Sequence, residues 1–180
     1  MGGRRMILYH GGTEAVMQPD CKAGRPDLDF GQGFYVTLLQ DQAEGFANRK
    51  ARDRKAKPII SVYEFDYEAA IQDCEYLKFD FYDEAWLDFV VASRNGMKPW
   101  AQYDVVEGGV ANDRVIDTVE LYTIGILDKV SALGKLSEHQ PNHQICILNQ
   151  AILDKYLKYK FVIDKFENEK IYIFRKAEKK

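Results

Sequence analysis

The chain has little cysteine, proline or tryptophan, and the shortage of cysteine excludes two classes of protein. Its 180 residues include three Cys, five Pro and two Trp. The cysteines, Cys21, Cys74 and Cys146, are odd in number and form no CxxC pair, so we expect neither a disulfide framework nor a zinc site. An HExxH motif is also absent. We therefore expect reduced thiols, no bound metal and a cytoplasmic location.

Long apolar runs and a net basic charge are lacking as well. No run approaches the length needed to span a bilayer, and the first residues, MGGRR, do not resemble a signal peptide. The formal net charge is −3, so no overall field favours nucleic acid. Basic residues do cluster between positions 49 and 57, as Arg49, Lys50, Arg52, Arg54, Lys55 and Lys57. We interpret this cluster as a solvated helix end, with a phosphate or an acidic partner as the alternative.

The apolar pattern predicts one α+β domain over residues 1–180, with strands and helices interspersed rather than regularly alternating. Predicted strands cover 6–10, 34–37, 59–67, 104–106, 143–148 and 171–174, and predicted helices cover 41–57, 83–96, 117–133 and 150–157. Asp83 is a candidate N-cap for the second helix, and Gly134 is predicted to end the third. Residues 16–27 are predicted to be a loop, and the lysine-rich tail is predicted to be frayed.

Two short segments concentrate the residues that could bind a ligand. The first, LYHGG at 8–12, and the second, DFGQGFYVT at 29–37, each join a strand-like run to a glycine and a polar or aromatic side chain. Glycine lets a backbone approach a ligand closely, because no Cβ stands in the way. Two such strands side by side would present His10 and Tyr35 at a narrow slot that suits a flat, amide-bearing ring.

These segments, together with NHQICIL at 142–148, resemble the three signature strands of the ADP-ribosyltransferase superfamily. The similarity is to its His-Tyr-Glu branch, which includes diphtheria toxin and the poly(ADP-ribose) polymerases. The chain also resembles, over nearly its full length, an uncharacterised bacterial family that shares YHGG, GR…DFGxGFY-T, ANDRV and a late HQI. The resemblance implies a core of two small facing antiparallel sheets surrounded by helices.

The resemblance also implies a role for individual residues in binding NAD. His10 would bond a hydroxyl of the adenosine ribose, and Gly11 would offer its backbone N–H and C=O to the nicotinamide carboxamide. Tyr35 would stack on the nicotinamide ring, and Gln42 lies near the position of a carboxamide-facing hydroxyl. Arg25 could reach the pyrophosphate. The implied reaction transfers ADP-ribose to a macromolecular acceptor, a protein rather than a nucleic acid, and releases nicotinamide.

Gln144 departs from the superfamily pattern, because it stands where the branch has its catalytic glutamate. A glutamine can accept a hydrogen bond from the ribose, but it supplies no charge to the oxocarbenium-like transition state. A unit charge about 4 Å away is worth on the order of 4 kcal/mol at an effective dielectric of about 20, or roughly a thousandfold in rate. Candidate compensating groups are Asp29, Asp113 beside Asn112, and Glu138.

Three other interpretations stay open at this point. A pseudoenzyme would keep the cleft and bind NAD, ADP-ribose or a partner protein without turnover. A toxin or regulatory partner in a bacterial gene pair is a second alternative. The third is a cysteine hydrolase with Cys21 as nucleophile and His143 as base, for which no local signature is present. A P-loop and a G-x-G-x-x-G motif are both absent, since Gly31 and Gly33 precede a strand rather than a helix.

Overall fold

The computed structural model describes residues 4–111, 113–166 and 169–176. Its strands are β1 (Arg5–Gly12), β2 (Phe34–Thr37), β3 (Ile59–Asp66), β4 (Tyr76–Lys78), β5 (Val105–Gly109), β6 (His143–Ile147), β7 (Leu157–Phe166) and β8 (Glu169–Lys176). Its α-helices are α1 (Gln40–Arg54), α2 (Tyr67–Gln72), α3 (Glu84–Arg94), α4 (Asp113–Thr123), α5 (Lys129–Leu136) and α6 (Gln150–Tyr156). Short 3₁₀ turns lie at Cys21–Ala23 and Pro99–Gln102. The predicted α+β class is confirmed.

The described chain divides into two compact units, each assembled from separate segments. Unit 1 comprises residues 1–20, 35–73 and 150–180, and unit 2 comprises residues 21–34 and 74–149. That residues 1–180 form a single domain stays a prediction. Within the described ranges, no helix is both long and apolar enough to cross a membrane.

Unit 1 contains five strands in the order β2-β1-β3-β7-β8, and each neighbouring pair is antiparallel. Helix α1 covers one face of this sheet, because its small residues let the helix approach the strands closely. The buried cluster between helix and sheet consists of Ala43, Ala47, Ile60, Val62 and Ile163, with Tyr9 and Phe161 packed against it. Alternation along β1 therefore directs Tyr9 toward α1 and Leu8 toward the opposite face.

Unit 2 contains a mixed set of three strands, β4-β5-β6. Strand β5 pairs antiparallel with β6 but parallel with β4, so the antiparallel pairing expected throughout is incomplete. An aromatic cluster fills the core of this unit: the ring centroids of Phe79 and Phe89 are 5.2 Å apart, and those of Phe30 and Phe79 are 6.2 Å apart. Trp86 is fully buried on α3, and its indole N–H donates to Gly109 O.

Strand β2 and helix α3 agree closely with the sequence predictions. Strand β2 has the predicted bounds, and the ends of β1, β3, β6 and α6 lie within two residues of theirs, the usual uncertainty of element ends. Strand β5 begins one residue later and ends three residues later than predicted. Helix α3 begins after Asp83, whose carboxylate accepts from Trp86 N at 2.9 Å. This is the predicted N-cap. Helix α1 begins one residue earlier and ends three residues earlier than predicted, at Arg54, where Lys55 adopts a left-handed conformation.

The long helix predicted over 117–133 is wrong, because the structure contains two helices there. Gly125 has φ +78°, which ends α4 in the left-handed region that glycine favours. Asp128 then caps α5 by accepting from Ser131 N at 2.8 Å. Gly134 lies inside α5 and does not end it. The predictions also missed α2, β4 and β7. The predicted last strand, 171–174, lies inside the longer β8. The end of the lysine-rich tail, after residue 176, lies outside the described ranges.

Candidate functional site

The His10 imidazole joins the two strands that carry the predicted ligand-binding motifs. Strands β1 and β2 pair with Tyr9 opposite Thr37, and His10 Nδ1 lies 2.8 Å from Tyr35 O. A carbonyl oxygen only accepts, so Nδ1 carries the proton in this bond. Two segments 25 residues apart in the chain are thus brought together, as the sequence predicts.

Burial keeps His10 neutral. Desolvation of the imidazole lowers the pKa of His10 to about 4, even though the bond to Tyr35 O raises this pKa; the nearby charge of Lys50 lowers it further. At neutral pH the ring is therefore uncharged with its proton on Nδ1. In that tautomer Nε2 is an acceptor, which suits a hydroxyl donor.

The register places the side chains of His10 and Tyr35 on opposite faces. Extending the pairing of Tyr9 with Thr37 by two residues sets Gly11 opposite Tyr35, and directly opposed residues share a face. Tyr35 therefore shares the α1 face with Gly11, whereas His10 shares the other face with the buried Ser61. This arrangement differs from the predicted slot between the two side chains, because the imidazole contacts the main chain of Tyr35.

Gly11 is packed directly beneath α1. A Cβ added at Gly11 would lie 2.0 Å from Ala43 O and 2.9 Å from Ala47 N, so glycine is required by the approach of the helix. The Gly11 carbonyl also accepts from Lys50 Nζ at 3.3 Å. One of the two backbone groups that the resemblance assigns to a ligand is therefore already bound by a side chain of α1.

Gln42 lies beside β2 at the beginning of α1. Its Oε1 accepts from Thr37 Oγ1 at 3.1 Å, and Thr37 Oγ1 in turn accepts from Leu39 N. Gln42 Nε2 is buried and has no hydrogen-bond partner in the described part of the chain. A buried donor without an acceptor costs about 1–3 kcal/mol, and a ligand acceptor would satisfy it.

Gln144 lies on β6 in unit 2, where it is 6% exposed. It is opposite Gly108 on β5 and shares its face. A Cβ added at Gly108 would lie 2.9 Å from the Phe30 ring and 3.2 Å from Phe79 Cβ, so this face is the aromatic one. An uncharged amide suits such surroundings better than a carboxylate, whose charged form burial disfavours.

The other predicted residues of unit 2 differ in their surroundings. Arg25 is exposed after the first 3₁₀ turn, and Glu138 is exposed after α5. Asp29 is bound by Arg94, whose Nε and Nη2 lie 2.7 and 2.6 Å from Oδ1, so this carboxylate belongs to a partly buried ion pair. Asp113 begins α4, and Asn112 lies outside the described residues.

The glycines of the DFGQGFYVT segment serve packing within unit 2. Gly31 has φ +88°, and a Cβ there would lie 2.3 Å from the Trp100 ring. A Cβ on Gly33 would lie 2.5 Å from Cys146 Sγ. Both glycines are thus required by close approach within the unit, which is a structural use of a motif that the sequence assigns to a ligand.

Sequence reasoning missed two ionisable residues that the structure singles out. Lys50 was predicted only as part of a basic cluster, and Glu107 was not predicted at all. Glu107 is 6% exposed, accepts from Tyr76 Oη at 2.6 Å and lies 3.8 Å from His143 Nδ1. The sequence signal that could have identified Glu107 was a charged residue inside the otherwise apolar segment VVEGG. Cys21, the alternative nucleophile, is 2% exposed, which does not suit attack on a substrate.

Comparison with known protein families gives a match over most of the chain. A family model described as "Protein of unknown function (DUF3990)" matches residues 6–159. These residues include both predicted ligand-binding motifs, α1 and β6, so the match spans the candidate residues of each unit. No curated protein and no solved structure matches the chain.

Proposed function

The chain belongs to the DUF3990 family, and from its candidate site we propose that it binds NAD and transfers ADP-ribose to a macromolecular acceptor, releasing nicotinamide. The observation that carries the proposal is the 2.8 Å hydrogen bond from the His10 imidazole to Tyr35 O, which unites the His-Gly and Phe-Tyr motifs. The finer fold, an ADP-ribosyltransferase-like core of two facing antiparallel sheets, is part of the proposal, as is action in the cytoplasm.

The nicotinamide ring is assigned to the face that Tyr35 and Gly11 share. The Tyr35 ring supplies a π-face for the cationic pyridinium. Gln42 Nε2, buried without an acceptor, donates to the carboxamide oxygen. The Gly11 carbonyl has two lone pairs and can accept the carboxamide N–H beside Lys50.

His10 is assigned to the adenosine ribose. Its neutral ring, with the proton held on Nδ1 by Tyr35 O, presents an acceptor at Nε2 to a ribose hydroxyl. That Arg25, an exposed basic residue of unit 2, contacts the pyrophosphate stays a prediction from the sequence. The acceptor is a protein rather than a nucleic acid, which the net charge of −3 supports.

Gln144 limits the chemistry in this proposal. Loosening of the glycosidic bond would rest on positioning and on electrostatic support for the oxocarbenium ion, and an amide contributes little of the latter. This neutral residue favours a second candidate function, a module that binds NAD, ADP-ribose or a cognate partner protein without turnover. The role of toxin or regulatory partner in a bacterial gene pair would belong to this binding module.

Calorimetry with NAD and a nicotinamide-release assay separate the two candidates. In a slow transferase, Gln144→Glu raises nicotinamide release by up to about a thousandfold, because it restores the missing charge. Gln102→Glu, an exposed glutamine on the second 3₁₀ turn, is the matched control and leaves release unchanged. The assay is run at pH 8, because burial at position 144 opposes ionisation of the new carboxyl.

Two further outcomes are informative: the first supports one candidate, and the second contradicts both. NAD binding without release in either form, unchanged by Gln144→Ala, supports the binding module. A folded wild-type protein that binds no NAD at millimolar concentration contradicts both candidates.

A further inference from the structure

Lys50 holds its ammonium group beside the candidate site. It lies in the last turns of α1, and its Nζ donates to Gly11 O at 3.3 Å. Because α1 rests directly on Gly11, this contact is set by close packing of helix on strand. Lys50 remains an exposed residue, so an ionic ligand from solvent can reach it.

Positive charge is concentrated around this ammonium. Arg54 lies one turn further along α1, and partial desolvation together with the Arg54 charge lowers the pKa of Lys50. Lys50 also lowers the pKa of His10 electrostatically, so its charge is felt at the imidazole. In the part of the chain that the structure describes, no ion pair joins Lys50 or Arg54 to a carboxylate.

Two cations at positions i and i+4 of a helix repel each other. An anion placed beside both would relieve this repulsion. A lysine ammonium has three donors, so it can keep its bond to Gly11 O and still donate to an oxygen of a ligand. It is also a common phosphate ligand in proteins, acting as a compact point charge.

We propose that Lys50, with Arg54 beside it, binds the phosphate groups of a nucleotide whose nicotinamide end occupies the face that Gly11 and Tyr35 share. This inference rests on the proposed function and adds to it a phosphate-binding residue on α1. The bond to Gly11 O orients the ammonium before the ligand arrives. The like-charged neighbour then makes an anion the favoured occupant.

Separate titrations with ADP-ribose and with nicotinamide test the proposal by calorimetry, because only ADP-ribose carries phosphate. Lys50→Gln is expected to weaken ADP-ribose binding about tenfold or more, the loss typical of one charge-assisted hydrogen bond, and to leave nicotinamide binding unchanged. Arg52→Gln is the matched control, since it removes the same charge from an exposed position on the same helix. It changes ADP-ribose binding less than about twofold, as expected for a screened surface charge.

Three results would overturn the proposal. The first is an unchanged affinity for ADP-ribose in Lys50→Gln, and the second is an equal loss of ADP-ribose affinity in Arg52→Gln. The third is tighter nicotinamide binding in Lys50→Gln, which would show that Lys50 blocks the Gly11 carbonyl. If the wild-type protein binds neither ADP-ribose nor nicotinamide, the proposed function fails, and inorganic pyrophosphate becomes the probe. Pyrophosphate binding that Lys50→Gln abolishes and Arg52→Gln retains would sustain the phosphate site, and no pyrophosphate binding would overturn it.

Discussion

At the scale of single residues, His10 shows how burial changes the chemistry of a side chain that the sequence identifies. Its imidazole bonds Tyr35 O and shares a face with the fully buried Ser61. Desolvation outweighs this hydrogen bond, so the pKa of His10 falls from 6.5 to about 4. A histidine that stays neutral throughout the physiological range accepts a hydrogen bond but carries no charge to attract an anion.

This neutrality predicts that His10 makes the protein less stable in acid. Between pH 6.5 and pH 4 the unfolded chain binds a proton at His10 that the folded chain does not, so the free energy of unfolding falls as the pH is lowered through this window. The loss approaches about 3 kcal/mol below pH 4, since one pKa unit is about 1.4 kcal/mol. Urea unfolding of wild-type protein and His10→Gln from pH 7.5 to 4 measures it as the difference between the two slopes. Equal slopes would contradict the prediction.

Asp29 is a residue whose role depends on a partner that the local sequence does not reveal. The sequence offers it as a carboxylate that could compensate for Gln144, yet both near contacts of its Oδ1 come from the Arg94 guanidinium. Arg94 is 65 residues away in the chain, so no local pattern could have assigned this partner.

At the scale of elements, the contact of α1 with β1 organises unit 1. Ala43 and Ala47 are fully buried, and Gly11 completes a row of small residues through which helix and strand meet. The same contact brings Lys50 to Gly11 O and Gln42 to Thr37. Packing of small residues therefore positions two of the polar groups of the candidate site.

We predict that Gly11→Ala destabilises the protein by about 3 kcal/mol or more, because its Cβ would meet Ala43 O at 2.0 Å. Gly45→Ala is the matched control on α1, since a Cβ there meets nothing within 4 Å. It is expected to stabilise the protein by about 1 kcal/mol through helix propensity. Thermal and urea unfolding of both variants measure the difference. A Gly11→Ala variant as stable as wild type would show that α1 does not rest on β1 in this way.

Strand β7 could have been predicted from its alternating pattern, with Leu157, Tyr159, Phe161 and Ile163 separated by mostly polar residues. Its partner could not, because pairing with β3 joins residues about a hundred positions apart. The break between α4 and α5 was also readable: Gly125 and Asp128 are a helix end and a helix start in local chemistry.

At the scale of the whole molecule, the two units contain different groups that report on unfolding. Unit 1 contains the half-buried His10, whereas unit 2 contains all three cysteines. Cys21 and Cys146 are buried and Cys74 is partly exposed. The unfolding of unit 2 can therefore be followed by its thiols.

We predict that a thiol reagent such as Ellman's reagent labels one cysteine per folded chain quickly and two slowly. The fast site is Cys74, and the slow sites are Cys21, 2% exposed, and Cys146, 0% exposed, because a buried thiol reacts only after opening. Cys74→Ser is the control and removes the fast phase alone. Urea should accelerate the slow phase in step with unfolding. Three fast thiols in native buffer would contradict the burial of unit 2.

The sequence by itself determined what depends on neighbours along the chain: the strands that carry His10 and Tyr35, the Asp83 cap and the α+β class. Hydrophobic periodicity, capping and turn chemistry are local, so a single sequence carries them. Only the tertiary structure decided the tautomer of His10, the ion pair of Asp29 and the contact of Lys50 with Gly11. Each of these depends on desolvation or on a partner distant in the chain, and burial and long-range contact exist only once the chain has folded.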